Sequence, residues 1–231
     1  MTPLPFRHRA RASLTVLAVL AFVVLSSVAC KRLVYSIWYE VSCGGFAVVP
    51  EGLLTEALGI EYHGPERSFS VADLLLDESA FPDGWLAGRE PYDPEDRMPA
   101  EQIVVGFLIH ECPFSLRAGH YVYRFYGGSR CAEMGYRVKT PVWFAPRDGW
   151  GPWGVPAELS YESRAADEYR LNCYTHQESG TGTCQAVGRF EEYVVRFLTP
   201  MSPDCMTLAD LERILVAIDE RMAVYLEKDT Y

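Results

Sequence analysis

The side chains able to do chemistry are few in this 231-residue chain, and the cysteines come first. Cys43, Cys112, Cys131, Cys173, Cys184 and Cys205 form an even set, which in an exported chain implies a disulfide framework. Cys173 and Cys184 enclose HQESGTGT, a turn rich in Gly, Ser and Thr, so a bridge across a hairpin is expected there. Cys112 with Cys131, which bracket another hairpin, and Cys43 with Cys205, by elimination, complete the expected set. Cys173 and His176 also have C-x-x-H spacing, but a structural zinc site usually takes two such pairs. No metal is therefore expected. His110, Glu111 and Cys112 are adjacent, yet neighbours on a strand point to opposite faces and cannot share one ion. Gly149, Gly151 and Gly154 spell G-x-G-x-x-G among Trp150, Pro152 and Trp153, not between the strand and helix that a dinucleotide motif needs. Asp77-Glu78, Glu95-Asp96 and Glu191-Glu192 could serve acid–base chemistry in a cleft, but nothing selects a pair, and a solvated surface is expected for them. No catalytic residue and no cofactor emerges.

The aromatic residues are more distinctive. Trp143, Phe144, Trp150 and Trp153 fall close together in TPVWFAPRDGWGPWGVPA, residues 140–157. Rings so placed could stack on a sugar or an aromatic ligand, or dip into a membrane interface. The alternative, expected here, is that they pack over a sheet and seal an irregular loop, because large aromatics are usually mostly buried. A ligand site is sought first among Trp143, Trp150 and Trp153 and on a strand face carrying Tyr121, Tyr123 and Phe125.

Cys30 belongs to a different argument. No residue from Ala12 to Cys30 is charged, and Arg7, His8, Arg9 and Arg11 precede the run. A basic start, an apolar stretch and small residues before a cysteine follow the grammar of an export signal. Bacterial lipoprotein signals are similar, and Ala29 fits that pattern, whereas Val28 is bulkier than usual and Ser27 stands where leucine is commonest. The run also just reaches the ~17–25 residues of an uncleaved anchor. Cys30 is thus a lipidation candidate, with a single-pass helix as the alternative. Either way, residues 31–231 are expected outside the cytoplasm, tethered to the cell membrane. The whole chain carries net charge −10, and removing the leader makes the remainder more acidic. Nucleic acid and anionic headgroups are disfavoured partners for such a domain.

These residues need elements to position them. Residues 31–69 are a connector that packs on the domain, and residues 70–231 form one α+β domain. Ser70 with Asp73 marks a short helix, ended by a Pro82-Asp83-Gly84 turn; REPYDPEDRMP follows as a solvated loop. IVVGFLIH, residues 103–110, is apolar on both faces, as in a central strand. From His120 to Tyr126 the faces alternate, with Tyr121, Tyr123 and Phe125 together. Ser129 is positioned to cap a helix through Tyr136. Glu168–Thr175 and a stretch within 183–199, centred on FEEYVVRFL, are the next strands. Thr207 and Asp210 open a last helix, whose Leu211, Ile214, Leu215, Ile218 and Met222 make one stripe. Two strand–strand–helix units would pair into one antiparallel sheet with both helices on one face.

The leader ending in Cys30, LLLDESAFPDGW, the VYRF strand entering a helix, and YVVRF followed by LERILVAIDERM resemble small bacterial lipoproteins. The layout over residues 70–228 is also similar to the extracellular sensor domains of PknH-type mycobacterial Ser/Thr kinases. That resemblance implies an α+β domain with disulfides and a ligand cleft, and it transfers no functional residue. The expectation is a sensor-like module binding a small ligand or an envelope protein, more in keeping with these residues than an enzyme. The alternatives are a hydrolase-type enzyme assembled from distant residues and a structural envelope protein.

Overall fold

Among the described residues six stretches become strands, most of them rich in the β-branched and aromatic residues that favour a pleated surface. In the computed structural model these are β1 (Leu86–Gly88), β2 (Ala100–Ile109), β3 (Leu116–Phe125), β4 (Glu168–Thr175), β5 (Gly182–Phe190) and β6 (Tyr193–Met201). The structure describes Cys43 and residues 66–88, 100–110, 112, 116–146, 148–177 and 179–227. The Ala12–Cys30 run and the REPYDPEDRMP loop lie outside them. Among the described residues no helix is long and apolar enough to cross a membrane. All strand pairs are antiparallel, in the order β1-β2-β3-β6-β5-β4.

Among the described residues two α-helices cover this sheet: α1 (Gly128–Trp143) and α2 (Leu208–Tyr225). α2 begins as expected, with the Thr207 side chain accepting from the Asp210 N–H and Asp210 reaching back to the Thr207 N–H. Its stripe of Leu211, Ile214, Leu215, Ile218 and Met222 is buried against Val122, Val195, Phe197 and Phe190. α1 instead packs its Cys131, Ala132 and Met134 with Tyr123, Phe125, Val187 and Val194. Val122 and Tyr123, like Val194 and Val195, are successive strand residues and point to opposite faces. The helices therefore lie on opposite faces of the sheet, and the expectation of a single helical face is corrected. The apolar character of both faces of β3 and β6 demands this, since each face needs its own cover.

Two element boundaries also differ from expectation. α1 runs on through Trp143 with Pro141 in its last turn, where a missing N–H removes only one late bond; the Phe144 N–H still reaches the Thr140 carbonyl at 3.1 Å. FEEYVVRFL is not one strand: it turns at Glu191-Glu192, and Phe190 pairs with Tyr193. Glu191 takes φ 53°, a left-handed conformation that normally favours glycine. Outside contacts hold it there. The Glu191 N–H donates to Asp167 at 2.9 Å, and the Glu192 carbonyl accepts from the Phe125 N–H at 2.9 Å. Nor are these glutamates solvated as a pair. Glu192 is 1% exposed and takes both its oxygens to Arg67, at 2.8 Å each, while Arg67 also pairs with Glu191. Those carboxylates, Glu192 foremost, raise the Arg67 pKa above its already high ordinary value.

On the α2 face a short 3-10 helix, Val71–Leu74, carries the expected Ser70–Asp73 box and buries Val71 and Leu74. A second, Glu78–Ala80, is capped by Asp77. Between them the Leu76 N–H donates to His120 Nδ1 at 3.2 Å. Burial, and secondarily the Arg221 charge, depress the His120 pKa to about 3.

The disulfides pair Cys43 with Cys131, Cys112 with Cys205 and Cys173 with Cys184. The hairpin bridge is as expected, with the two cysteines directly opposed in the β4–β5 register. Cys112–Cys131 and Cys43–Cys205 are corrected. β3 stands between Cys112 and Cys131, and ten extended residues span roughly 33 Å, which puts those two at opposite ends of the strand.

Candidate ligand-binding face

The candidate site is built on the α1 face from residues at consecutive register positions. Gly88 of β1 pairs with Gly106 of β2, which pairs with Gly119 of β3, which pairs with Leu198 of β6. Directly paired residues share a face, so three glycines stand in a row across three adjacent strands. Gly88 and Gly106 leave their backbone partly exposed, whereas Gly119 is buried beneath the Tyr121 ring. One register step to one side lie Leu86, Leu108 and Arg117; one step to the other lie Val104 and Tyr121. A groove of about 280 Å³ sits over Gly106 and Gly119, lined also by Val104, Arg117, Tyr121 and Leu198.

The two central glycines do different things. A Cβ built on Gly106 would meet nothing closer than 4.0 Å, whereas one on Gly119 would lie 2.7 Å from the Tyr121 ring. Gly119 is thus what lets the Tyr121 ring fold down along its own strand. Glycine in a strand interior weakens the strand and often marks close approach of another group.

Behind Tyr121 stands a supporting stack. The Arg196 guanidinium lies 5.3 Å from the Tyr121 ring centre and 5.1 Å from that of Trp143. It donates from Nε and one terminal nitrogen to Gln185 Oε1, at 3.0 and 2.8 Å. Tyr121 is parallel to Tyr123 with centroids 6.4 Å apart, and Tyr123 stacks on Trp143 at 5.9 Å. Tyr123 and Trp143 are buried, and Tyr121 is half-buried. Of these three only Tyr121 lines the groove.

Trp150 and Trp153 lie elsewhere. Gly154 exchanges backbone hydrogen bonds with Cys173, at 2.9 and 2.7 Å, so their loop seals the β4 edge, opposite the β1 edge. Trp150 stacks on Tyr174 at 3.8 Å, Trp153 meets it edge-on at 4.6 Å, and Trp153 donates to the Ala145 carbonyl. Both rings are half-buried, packed against Tyr174 at the β4 edge. Cys173, bridged to Cys184, is no metal thiolate.

The chain matches no family model and no curated protein among those compared. The residues themselves must carry the functional argument, and sequence reasoning had missed the decisive ones, Gly88, Gly106, Gly119 and Arg117. The available signal was a lone glycine inside each apolar strand pattern, in IVVGFLIH and in RAGHYVY.

Proposed function

We propose that this protein is a membrane-tethered extracytoplasmic binding module, sensor-like in the sense its resemblance implies, with the glycine-floored groove as its ligand seat. The observation that carries this is the register of Gly88, Gly106 and Gly119. A strand glycine costs about 0.5–1 kcal/mol relative to alanine; the Tyr121 ring accounts for Gly119, whereas the space over Gly106, with nothing closer than 4.0 Å to a Cβ built there, opens into the groove. The export grammar of the leader and three disulfides support the compartment.

Larger clefts flank residues 160–164, about 740 and 470 Å³. Their central polar groups are engaged with one another. Asp219 accepts from the Ser163 hydroxyl at 2.6 Å and the Arg164 N–H at 2.8 Å, and the Tyr161 hydroxyl donates to the Leu215 carbonyl at 3.0 Å. Those contacts fasten a loop to α2. The groove over the glycines rests on paired strands, where geometry is held more precisely than on loops. The test is a thermal melt of the full chain against a panel of one- and two-ring compounds. Members that bind raise the midpoint of the parent protein and leave that of Gly106→Val unchanged; equal shifts in both place the seat elsewhere.

A further inference from the structure

We infer that the α1 face is a docking surface for the anionic headgroups of the membrane that holds the chain, an assignment that rests on the tethered reading above. A net charge of −10, spread evenly, would repel such a surface, but the charge is not spread evenly. On α1 stand Arg130, Arg137 and Lys139, with Glu133 as the one acid. The same side of the sheet carries Arg196, 5.1 Å from the Trp143 ring centre, and Arg170, 4.4 Å from that of Phe144. It also carries Arg189, paired with Asp167 and Glu168. Those six bases, counted without Arg117 of the groove, outnumber the three acids Glu133, Asp167 and Glu168. The opposite side has the reverse balance. Asp210, Glu212, Asp219 and Glu220 of α2, with Asp73, Asp77 and Glu78 beneath it, stand against Arg213 and Arg221.

A bilayer feels the summed charge of the face turned toward it. Ion pairs within the face, such as Arg137 with Glu133 at 2.8 Å, are already in that balance, so the attraction needs no unpaired guanidinium. It fades within a screening length, which turns the basic side toward the lipid and the acidic side away. Two further features agree. Cys43 is joined to Cys131 in the first turn of α1, so the chain coming from the leader is fastened to this layer. The twelve residues between Cys30 and Cys43 reach at most about 40 Å, and aiming α2 at the bilayer would make them travel around the sheet. Val142, in the last turn of α1, is 61% exposed and adds an apolar contact at the interface. α1 is about 10 Å thick and stands between sheet and lipid, so the groove beside it stays open from the side.

The full chain, carrying 13C-methyl methionine, is placed in lipid nanodiscs doped with a gadolinium-headgroup lipid. Met134 lies on α1 and Met222 on α2, roughly 20 Å apart across two packed layers. In discs rich in phosphatidylglycerol, Met134 should lose its methyl signal while Met222 keeps most of its own. The difference should vanish in phosphatidylcholine discs and in ~1 M salt, where the screening length is ~3 Å. It should also vanish in the triple variant Arg130→Gln, Arg137→Gln, Lys139→Gln, which leaves bases and acids equal on this side. An unchanged melting midpoint excludes misfolding of the variant, and the lipid and salt arms need no variant. Equal loss at both methionines in phosphatidylglycerol, or greater loss at Met222, overturns the docking surface and leaves the tether standing. So does a selective Met134 loss that persists in phosphatidylcholine, in high salt or in the variant. A full chain that does not enter the discs overturns the tethered reading, and this inference with it.

Discussion

Gly119 and Tyr121 lie two residues apart on one face of β3, and the Tyr121 ring occupies the place where a Gly119 side chain would be, 2.7 Å from its Cβ position. Gly106, directly across the ladder, has no such neighbour. Alanine at the two sites should therefore act in opposite directions. Gly106→Ala should leave stability unchanged or raise it by about 0.5–1 kcal/mol through the unfolded chain. Gly119→Ala should cost about 1–3 kcal/mol by overpacking. Denaturant melts measure both, and equal effects at the two positions would disprove this account of the ring.

Stability should fall below pH 6.5 through His120. Its folded pKa is about 3 against an ordinary 6.5, so between those values the unfolded chain binds a proton that the folded chain refuses. Unfolding is then favoured as pH drops, by about 1.4 kcal/mol per unit at most, and above pH 6.5 the effect vanishes. Melts at pH 7.5 and 5.0 should differ by about 2 kcal/mol from this source, and His120→Gln should lose that difference while parent and variant keep the rest in common. An identical pH response in the two proteins would show that His120 is not held neutral.

Breaking the Arg67–Glu192 pair should be severe. Glu192 is 1% exposed and bonded through both oxygens, and removing one partner of a buried pair costs about 3–5 kcal/mol. Arg67→Ala should approach that range in a urea melt. A cost below ~1 kcal/mol, typical of a surface pair, would contradict the burial.

The elements most visible in the chain were those specified by near neighbours. Thr207 with Asp210, Ser70 with Asp73, the α2 stripe and the Cys173–Cys184 hairpin each depend on residues a few positions apart, and each appears as expected. What was not visible depends on distant partners. Glu191 turns without glycine because Asp167, Arg67 and Phe125 hold the turn. Pro141 is tolerated because it falls in the last turn of α1. Which helix covers which face, and how Cys43, Cys112, Cys131 and Cys205 pair, follow from the order of strands in the sheet. The glycine row is the clearest case: Gly88, Gly106 and Gly119 are unremarkable singly and align only once two registers are known.

The three bridges should leave no free thiol among the six domain cysteines, as counted under denaturing, non-reducing conditions. Peptide mapping should recover Cys43 joined to Cys131. Removing that bridge with Cys43→Ser and Cys131→Ser should cost roughly 4–5 kcal/mol on the loop-entropy scale for a separation of 88 residues. Six reactive thiols would overturn the disulfide framework and the proposed extracytoplasmic compartment with it. Cell fractionation supplies a companion check, since the full chain should pellet with membranes and a shortened chain beginning at Leu33 should not.

The seat of binding is tested most directly by selective labelling of the 18 glycines with 15N and observation of their amide resonances while small aromatic acids, amides and amines are added to the full chain. We expect at least one compound to shift Gly88, Gly106 and Gly119 together while Gly149, Gly151 and Gly154 of the tryptophan loop stay in place. Shifts confined to the tryptophan loop, or none in the three strand glycines with any compound, would contradict the account.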